Sequence, residues 1–307
     1  MNFVYIYPYI RLSLEVWLKI LIIMLLYVLI VLAVRVASSL ETLSNGWDPL
    51  DSVQDDYVSI AYPDGGVNPR LVNYVINSTV PSTGRPYTMY VAVLNSGLPS
   101  SFTLELPSQG CCHPMKTSST ARLHNCSYAT NAGFFNTKDG CCIGNLITHG
   151  KIVQVFSLSR VNFALSKKAY QIGYMPETVL KSSDLQEGIS GAGWLVRNGS
   201  SYVNKSQEVE GLSKEFVSEK APRSGVGVAA NGSLFLLQVD GEEDKHEGLD
   251  LWEFAEVAIS CGLAHLVNLD GGGSSVSVQN GKVIDRPTCL DISLLCERPV
   301  TSITCIH

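Results

Sequence analysis

Charge is scarce in this sequence. Asp, Glu, Lys and Arg make up 16% of the 307 residues, the formal net charge is −6, and the Lys and Arg residues form no cluster. A nucleic-acid partner or a polybasic membrane surface needs a dense positive stripe, so both are excluded. No Cys-x-x-Cys pair is present, and none of the six histidines stands at zinc-finger spacing from a cysteine. There is no G-x-S-x-G nucleophile elbow. "NGKV" at 280–283 lacks the Ser/Thr and the helix of a phosphate loop. "GVGVAA" at 225–230 fits a dinucleotide pattern on paper, but it runs along a strand into a hairpin. No cofactor is expected, and no ligand cluster compels a metal.

Long apolar runs are also absent after the first forty residues. Before that, Trp17 to Val34 reads "WLKILIIMLLYVLIVLAV", with Lys19 its one charge. Eighteen helical residues span roughly 27 Å, enough for a bilayer core. The reading divides the chain into an N-terminal segment 1–16, a hydrophobic helix 17–36, a linker 37–56 and a domain 57–307. The helix is a retained signal anchor or a cleaved signal peptide.

What is plentiful points to an oxidising lumen. Nine cysteines and five N-x-S/T sequons, at Asn77, Asn125, Asn198, Asn204 and Asn231, suit disulfides and surface glycans. An odd count leaves one thiol over, and Cys261, apart from the other clusters, is the candidate.

Short β-branched and aromatic runs punctuated by Pro, Gly and Asn dominate from Tyr57 onward. Examples are "YVSIAY", "LVNYVIN", "YTMYVAVL", "FTLELP", "YATNAGFF" and "KIVQVFSL", with further strands predicted at 168–174, 193–197 and 201–204. Asn231-Gly232 and Asn280-Gly281 predict hairpin turns, the former with left-handed backbone at the pair. One helix is well signalled: Asp250 and Glu253 form a capping-box pattern, and apolar Leu251, Phe254, Ala255, Ala258 and Ile259 follow at helical spacing. Weaker helices are predicted at 177–187 and 208–219. The sum is a single α+β domain with a large mixed or antiparallel sheet packed by a few helices.

Polar residues recur at strand ends beside glycine: Asn131 in "TNAGFF", Asn145 in "CCIGN", Arg223 in "APRSGVG", Asp240 in "QVDGEED", and Asn268 and Asp270 in "VNLDGGGSS". Singly these are turn formers. Together, amides for sugar hydroxyls, a guanidinium fork for phosphate and two carboxylates for acid/base work suit a phosphorylated sugar. Gly271, Gly272 and Gly273 predict an open strand end, an anion-binding nest of N–H groups, and close approach to Ser274 and Ser275.

The segments "TNAGFF", "GCCIGN", "WLVRNGS", "RSGVG", "LDLWEFAEV" and "VNLDGGGSS" occur in the order seen in the phosphodiester glycosidase family, which the chain resembles from about residue 57 onward. Ala132 stands where that family usually has glycine, and Ser224 where it usually has threonine. The resemblance implies a hydrolase that removes N-acetylglucosamine from α-1-phosphodiesters and exposes mannose 6-phosphate. Its partners would be phosphorylated high-mannose glycans on glycoproteins and the membrane, with a homo-oligomer left open. The place implied is the Golgi membrane, with the domain lumenal, or outside the cell after secretion. A non-catalytic glycan-binding relative and an enzyme for another phosphoglycan are the alternatives. Asp270, Asp240 and Arg223 would be catalytic and converge on one pocket. Asn131, Asn145, Asn268, the three glycines and Ser274 and Ser275 would hold substrate. The resemblance further implies disulfides Cys126–Cys305 and Cys289–Cys296, with Cys111/Cys112 bridged to Cys141/Cys142.

Overall fold

Every strand pairing is antiparallel in the computed structural model, which describes residues 56–63, 70–95, 98–156, 159–288 and 296–307. The described residues form one mostly β unit with few helices. The predicted hydrophobic segment 17–36 lies outside them. Among the described residues no helix is long and apolar enough to cross a membrane.

A seven-stranded sheet forms the centre. Its order is Ser200–Ser201, Trp194–Arg197, Leu263–Asn268, Arg223–Ala229, Leu234–Val239, Pro86–Leu94 and Leu71–Thr79. The helix Leu251–Ser260 packs on one face through Leu251, Phe254, Ala255 and Ala258. Asp250 caps it, and the box with Glu253 is complete. Gly225 lies under this helix, where an added Cβ would sit 2.9 Å from Leu266 and 3.2 Å from Phe254. The other face packs on a six-stranded sheet through Trp194, Phe163, Tyr170 and Leu236. Both faces of the central sheet are therefore apolar, which is why its strands Arg223–Ala229 and Leu234–Val239 are buried throughout.

A five-stranded sheet carries Tyr128–Asn131 between Ser277–Gln279 and Ile303–Ile306. Disulfide Cys126–Cys305 ties it together across 179 residues of sequence. The adjacent cysteines pair in nested fashion, Cys111–Cys142 and Cys112–Cys141. Cys261 is a free thiol. Cys296 is disulfide-bonded, while Cys289 lies outside the described residues.

Four expectations are corrected. The segment 177–187 is helical only over Glu177–Leu180, and Leu185–Ser190 is a buried strand between two others. The helix predicted at 208–219 is two, Val203–Glu210 and Lys214–Ser218, broken where Gly211 takes left-handed backbone (φ 61°). The strand expected at 201–204 ends at Ser201, because the first of those helices begins at Val203. At the 231–232 turn only Gly232 is left-handed (φ 83°); Asn231 accepts from Ser233 N (3.0 Å) through its side chain instead. Asn280 and Gly281 are both left-handed (φ 49° and 74°), as a two-residue hairpin turn requires.

Candidate active site

Three strand ends meet at Asp270. Its N–H donates to Ala132 O (3.0 Å), just beyond Tyr128–Asn131, and the preceding Leu269 N–H donates to Ser224 O (2.9 Å) on the central sheet. The Asn131 amide, fully buried, donates to Asp270 O (2.6 Å) and accepts from Ser224 Oγ (2.8 Å) and Val276 N (3.2 Å). Ser224 Oγ also reaches Ser275 Oγ (3.3 Å). Asn131 is thus a brace that fixes the Asp270 backbone.

The Asp270 carboxyl is raised from its ordinary 3.8 to about 7. Burial is the main cause, and the negative charge of Glu243 adds to it; Ser274, Arg298 and the Gly271 N–H oppose it. The Gly271 N–H bond to Oδ1 is 3.1 Å. A carboxylic acid that keeps its proton to neutral pH is suited to proton donation.

The glycines have specific reasons. A Cβ on Gly271 would stand 2.8 Å from Pro222 O, and Gly272 combines left-handed backbone (φ 57°) with the Glu243 carboxylate packed against it. The anion-binding nest is corrected. Its N–H groups are largely spent on backbone carbonyls: Gly272 N on Pro222 O (2.9 Å) before the neighbouring strand, and Ser274 N on Gly271 O (3.1 Å) and Ser275 N on Gly272 O (3.0 Å) within the turn.

Other expected ligand contacts are also turned inward. Asn145 donates to Asn162 Oδ1 (2.9 Å) and accepts from Phe156 N (2.7 Å). Asn268 donates to Ala192 O (3.0 Å), and its buried Oδ1 has no hydrogen-bond partner. Arg223 was expected to present a fork to phosphate. Its Nε donates instead to Leu249 O (2.9 Å) and its Nη2 to Glu219 O (2.6 Å) and Phe216 O (3.4 Å). Burial lowers its pKa to about 10, so it stays cationic at neutral pH and gives positive charge below Gly271.

Asp240 is placed apart. The strand Arg223–Ala229 lies between the strands that lead to Asp240 and to Asp270, a separation of about 10 Å across two strand spacings. Asp240 lines a 720 Å³ cavity with Arg286, Lys245 and Glu247, and its Oδ1 accepts from Arg286 N (3.2 Å) and Gln238 Nε2 (3.5 Å). Neither Arg223 nor Asp270 lines that cavity. The single pocket for all three residues is not formed.

What adjoins Asp270 instead was not singled out from sequence. Glu243 and Arg298 are the charged side chains whose fields reach it. A cleft of 340 Å³, within the usual range for small-ligand sites, has Phe134 and Phe216 among its walls and Ser190, Gly191 and Ala192 among its other lining residues; Asp270, Arg223 and Glu243 do not line it. Phe134 is two residues beyond the Ala132 carbonyl that binds Asp270, and Phe216 offers its carbonyl to Arg223. The Phe134 and Phe216 rings are 6.3 Å apart. Arg160 also lines this cleft, with Nη1 3.8 Å from the buried Glu210 and without a hydrogen-bond partner. "NAGFF" held the signal for Phe134, since an aromatic residue beside the Asn brace is placed by the same strand.

All five sequon asparagines are exposed. Among the described residues no three or more His, Cys, Asp or Glu side chains are arranged to hold a metal ion.

Comparison with known proteins supplies the family. The model of the phosphodiester glycosidase family matches residues 124–307. N-acetylglucosamine-1-phosphodiester alpha-N-acetylglucosaminidase of Bos taurus is 35% identical over 201 residues, 61% of this chain and 38% of the relative. Its Homo sapiens counterpart is 33% identical over 201 residues, 61% of this chain and 39% of the relative. The chain thus spans about two fifths of the length of these curated relatives. The zebrafish catalytic domain of the same name, solved in a form auto-inhibited by its pro-peptide, superposes with a TM-score of 0.75 at 28% identity, covering 82% of this chain and 88% of that one. A Synechocystis protein with a TM-score of 0.62 at 15% identity, covering 82% of this chain and 68% of that one, shares the fold.

Proposed function

The chain belongs to the phosphodiester glycosidase family, and from that premise we propose that it hydrolyses α-N-acetylglucosamine-1-phosphodiesters on phosphomannosyl glycans. The sugar is released and mannose 6-phosphate is left exposed. The observation that carries this reading is the placing of Asp270 at a three-strand junction, where its carboxyl is pushed up to about 7 chiefly by burial. An acid of that strength can give its proton to the phosphate oxygen that leaves the anomeric carbon. The names of the Bos taurus and Homo sapiens relatives support this bond type and sugar.

The cleft between Phe134 and Phe216 receives the sugar, its apolar faces against the rings. Arg160 faces the phosphate with the guanidinium nitrogens not turned to Glu210. Arg223 acts from below, holding the ends of 216–219 and Leu249 in place and adding positive charge. The nested disulfides and exposed sequons support a lumenal site in the secretory pathway, where glycoproteins bearing phosphorylated high-mannose glycans are the partners. Segment 17–36 would anchor the chain in the Golgi membrane, or be cleaved to give a secreted form.

The test is incubation of the purified glycosylated protein with an α-GlcNAc-1-phospho-mannoside. Free GlcNAc and phosphomannose are expected in equal amounts. Binding without release would overturn the enzyme reading in favour of a glycan-binding role.

A further inference from the structure

We propose that Glu243, rather than Asp240, is the second catalytic carboxylate of this site and the partner of Asp270. The inference rests on the phosphodiester glycosidase reading above and deepens it. Glu243 opens a short turn, Glu243–Lys245, in the loop between the strand Leu234–Val239 and the helix Leu251–Ser260. Its carboxylate packs against Gly272, at the one point where a Cβ on the glycine turn would collide with it. Gly272 thus leaves the space that Glu243 fills. The negative charge of Glu243 falls on both Asp270 and Arg223, and the glycine turn links them: Glu243 packs against Gly272 and the Arg223 side chain lies beside Gly271.

The loop is held firmly enough to aim a side chain. Glu242 and Glu247 exchange backbone bonds of 3.2 and 3.0 Å, and His246 N donates to Glu243 O (2.9 Å). At the base of the loop, Ala221 and Leu249 exchange bonds of 3.3 and 3.1 Å. A carboxylate on a pinned loop meets the positional demand of catalysis, whereas one on a free tail does not. Burial is the main reason Asp270 holds its proton, with the charge of Glu243 a smaller addition, so Asp270 takes the proton-donating role and Glu243 the accepting one.

The step follows from that division. Glu243 takes a proton from water as the water oxygen bonds to the anomeric carbon. The bond from that carbon to the phosphate oxygen breaks, its electron pair leaves with the oxygen, and Asp270 delivers the proton that oxygen requires. The products are free sugar and a phosphomonoester, with Glu243 protonated and Asp270 ionised until solvent resets them.

Glu243→Gln keeps the shape and removes the base. In the GlcNAc-release assay it should lower kcat at least ~100-fold and change KM less than ~3-fold, as removal of a general base does. Glu243→Asp, which restores a carboxylate, should recover part of kcat and serves if the Gln variant fails to fold. A kcat within ~3-fold of wild type in a folded Glu243→Gln, or a Glu243→Asp no better than Gln, would overturn the role of Glu243. Wild type that releases no sugar would instead remove the reading on which the inference rests.

Discussion

Gly272 is the residue on which the turn depends most directly. Its left-handed backbone costs an L side chain about 1–2 kcal/mol, and the space beside it belongs to the Glu243 carboxylate. Gly272→Ala should therefore lower the melting temperature by a few degrees and reduce GlcNAc release far more than that loss of stability explains. Thermal unfolding and turnover measured on the same sample check this. Equal, small effects on both would mean that the Glu243 seat is unimportant. Gly271 has a different reason for its missing side chain, the Pro222 carbonyl 2.8 Å from where a Cβ would sit. The "DGGGSS" stretch made glycine's presence conspicuous in sequence. What filled the space was not readable, because Glu243 sits in the charged run "GEEDK", which looks like an ordinary solvated loop.

At the scale of elements, the helix Leu251–Ser260 does more than cover the sheet. Its cap, Asp250, accepts from Glu253 N (2.8 Å) and pairs with Lys220 Nζ (2.5 Å), and Lys220 also pairs with Glu253 (2.7 Å). This junction adjoins Leu249, which closes the Glu243 loop and accepts from Arg223. Asp250→Ala should cost about 1–2 kcal/mol as the loss of an N-cap does, measurable by chemical denaturation, with the loop 240–249 losing hydrogen-exchange protection first. This helix was legible because its capping and its apolar spacing are both local. The strand Leu185–Ser190 was not, since Glu187 and Gln186 read as helical polar residues while Glu187 is in fact buried, accepting from Leu104 N and His149 N (2.9 Å each). Nor was the gathering of His124 and His149 onto buried Glu105, at 2.9 and 3.0 Å, legible in histidines that look scattered along the chain. Partners more than about twenty residues apart leave no local pattern. For the same reason the strand end at Asn131 is legible in the sequence while its bonds to Ser224 and Val276 are not, because those partners come from far along the chain.

For the whole molecule, carboxyls raised by burial set the pH response. Asp270 is raised to about 7 chiefly by burial, and so is Glu187. A carboxyl raised in the fold stabilises it fully below its unfolded pKa, and that contribution is lost as pH rises through the folded value. His265, lowered from 6.5 to about 4 by burial, acts in the opposite sense and only below about 6.5. Between pH 8 and 6.5 only the raised carboxyls act, so the melting temperature should climb as the solution is acidified over that interval. A flat or falling profile there would show that these carboxyls are not enclosed as described. If the Asp270 proton drives cleavage of the sugar–phosphate bond, the pH–rate profiles of wild type and Asp270→Asn must differ in a defined way. Wild-type kcat/KM should fall away above a pKa near 7, while folded Asp270→Asn should be at least ~100-fold slower and lack that limb. Near-normal turnover in Asp270→Asn, with the same limb retained, would contradict it.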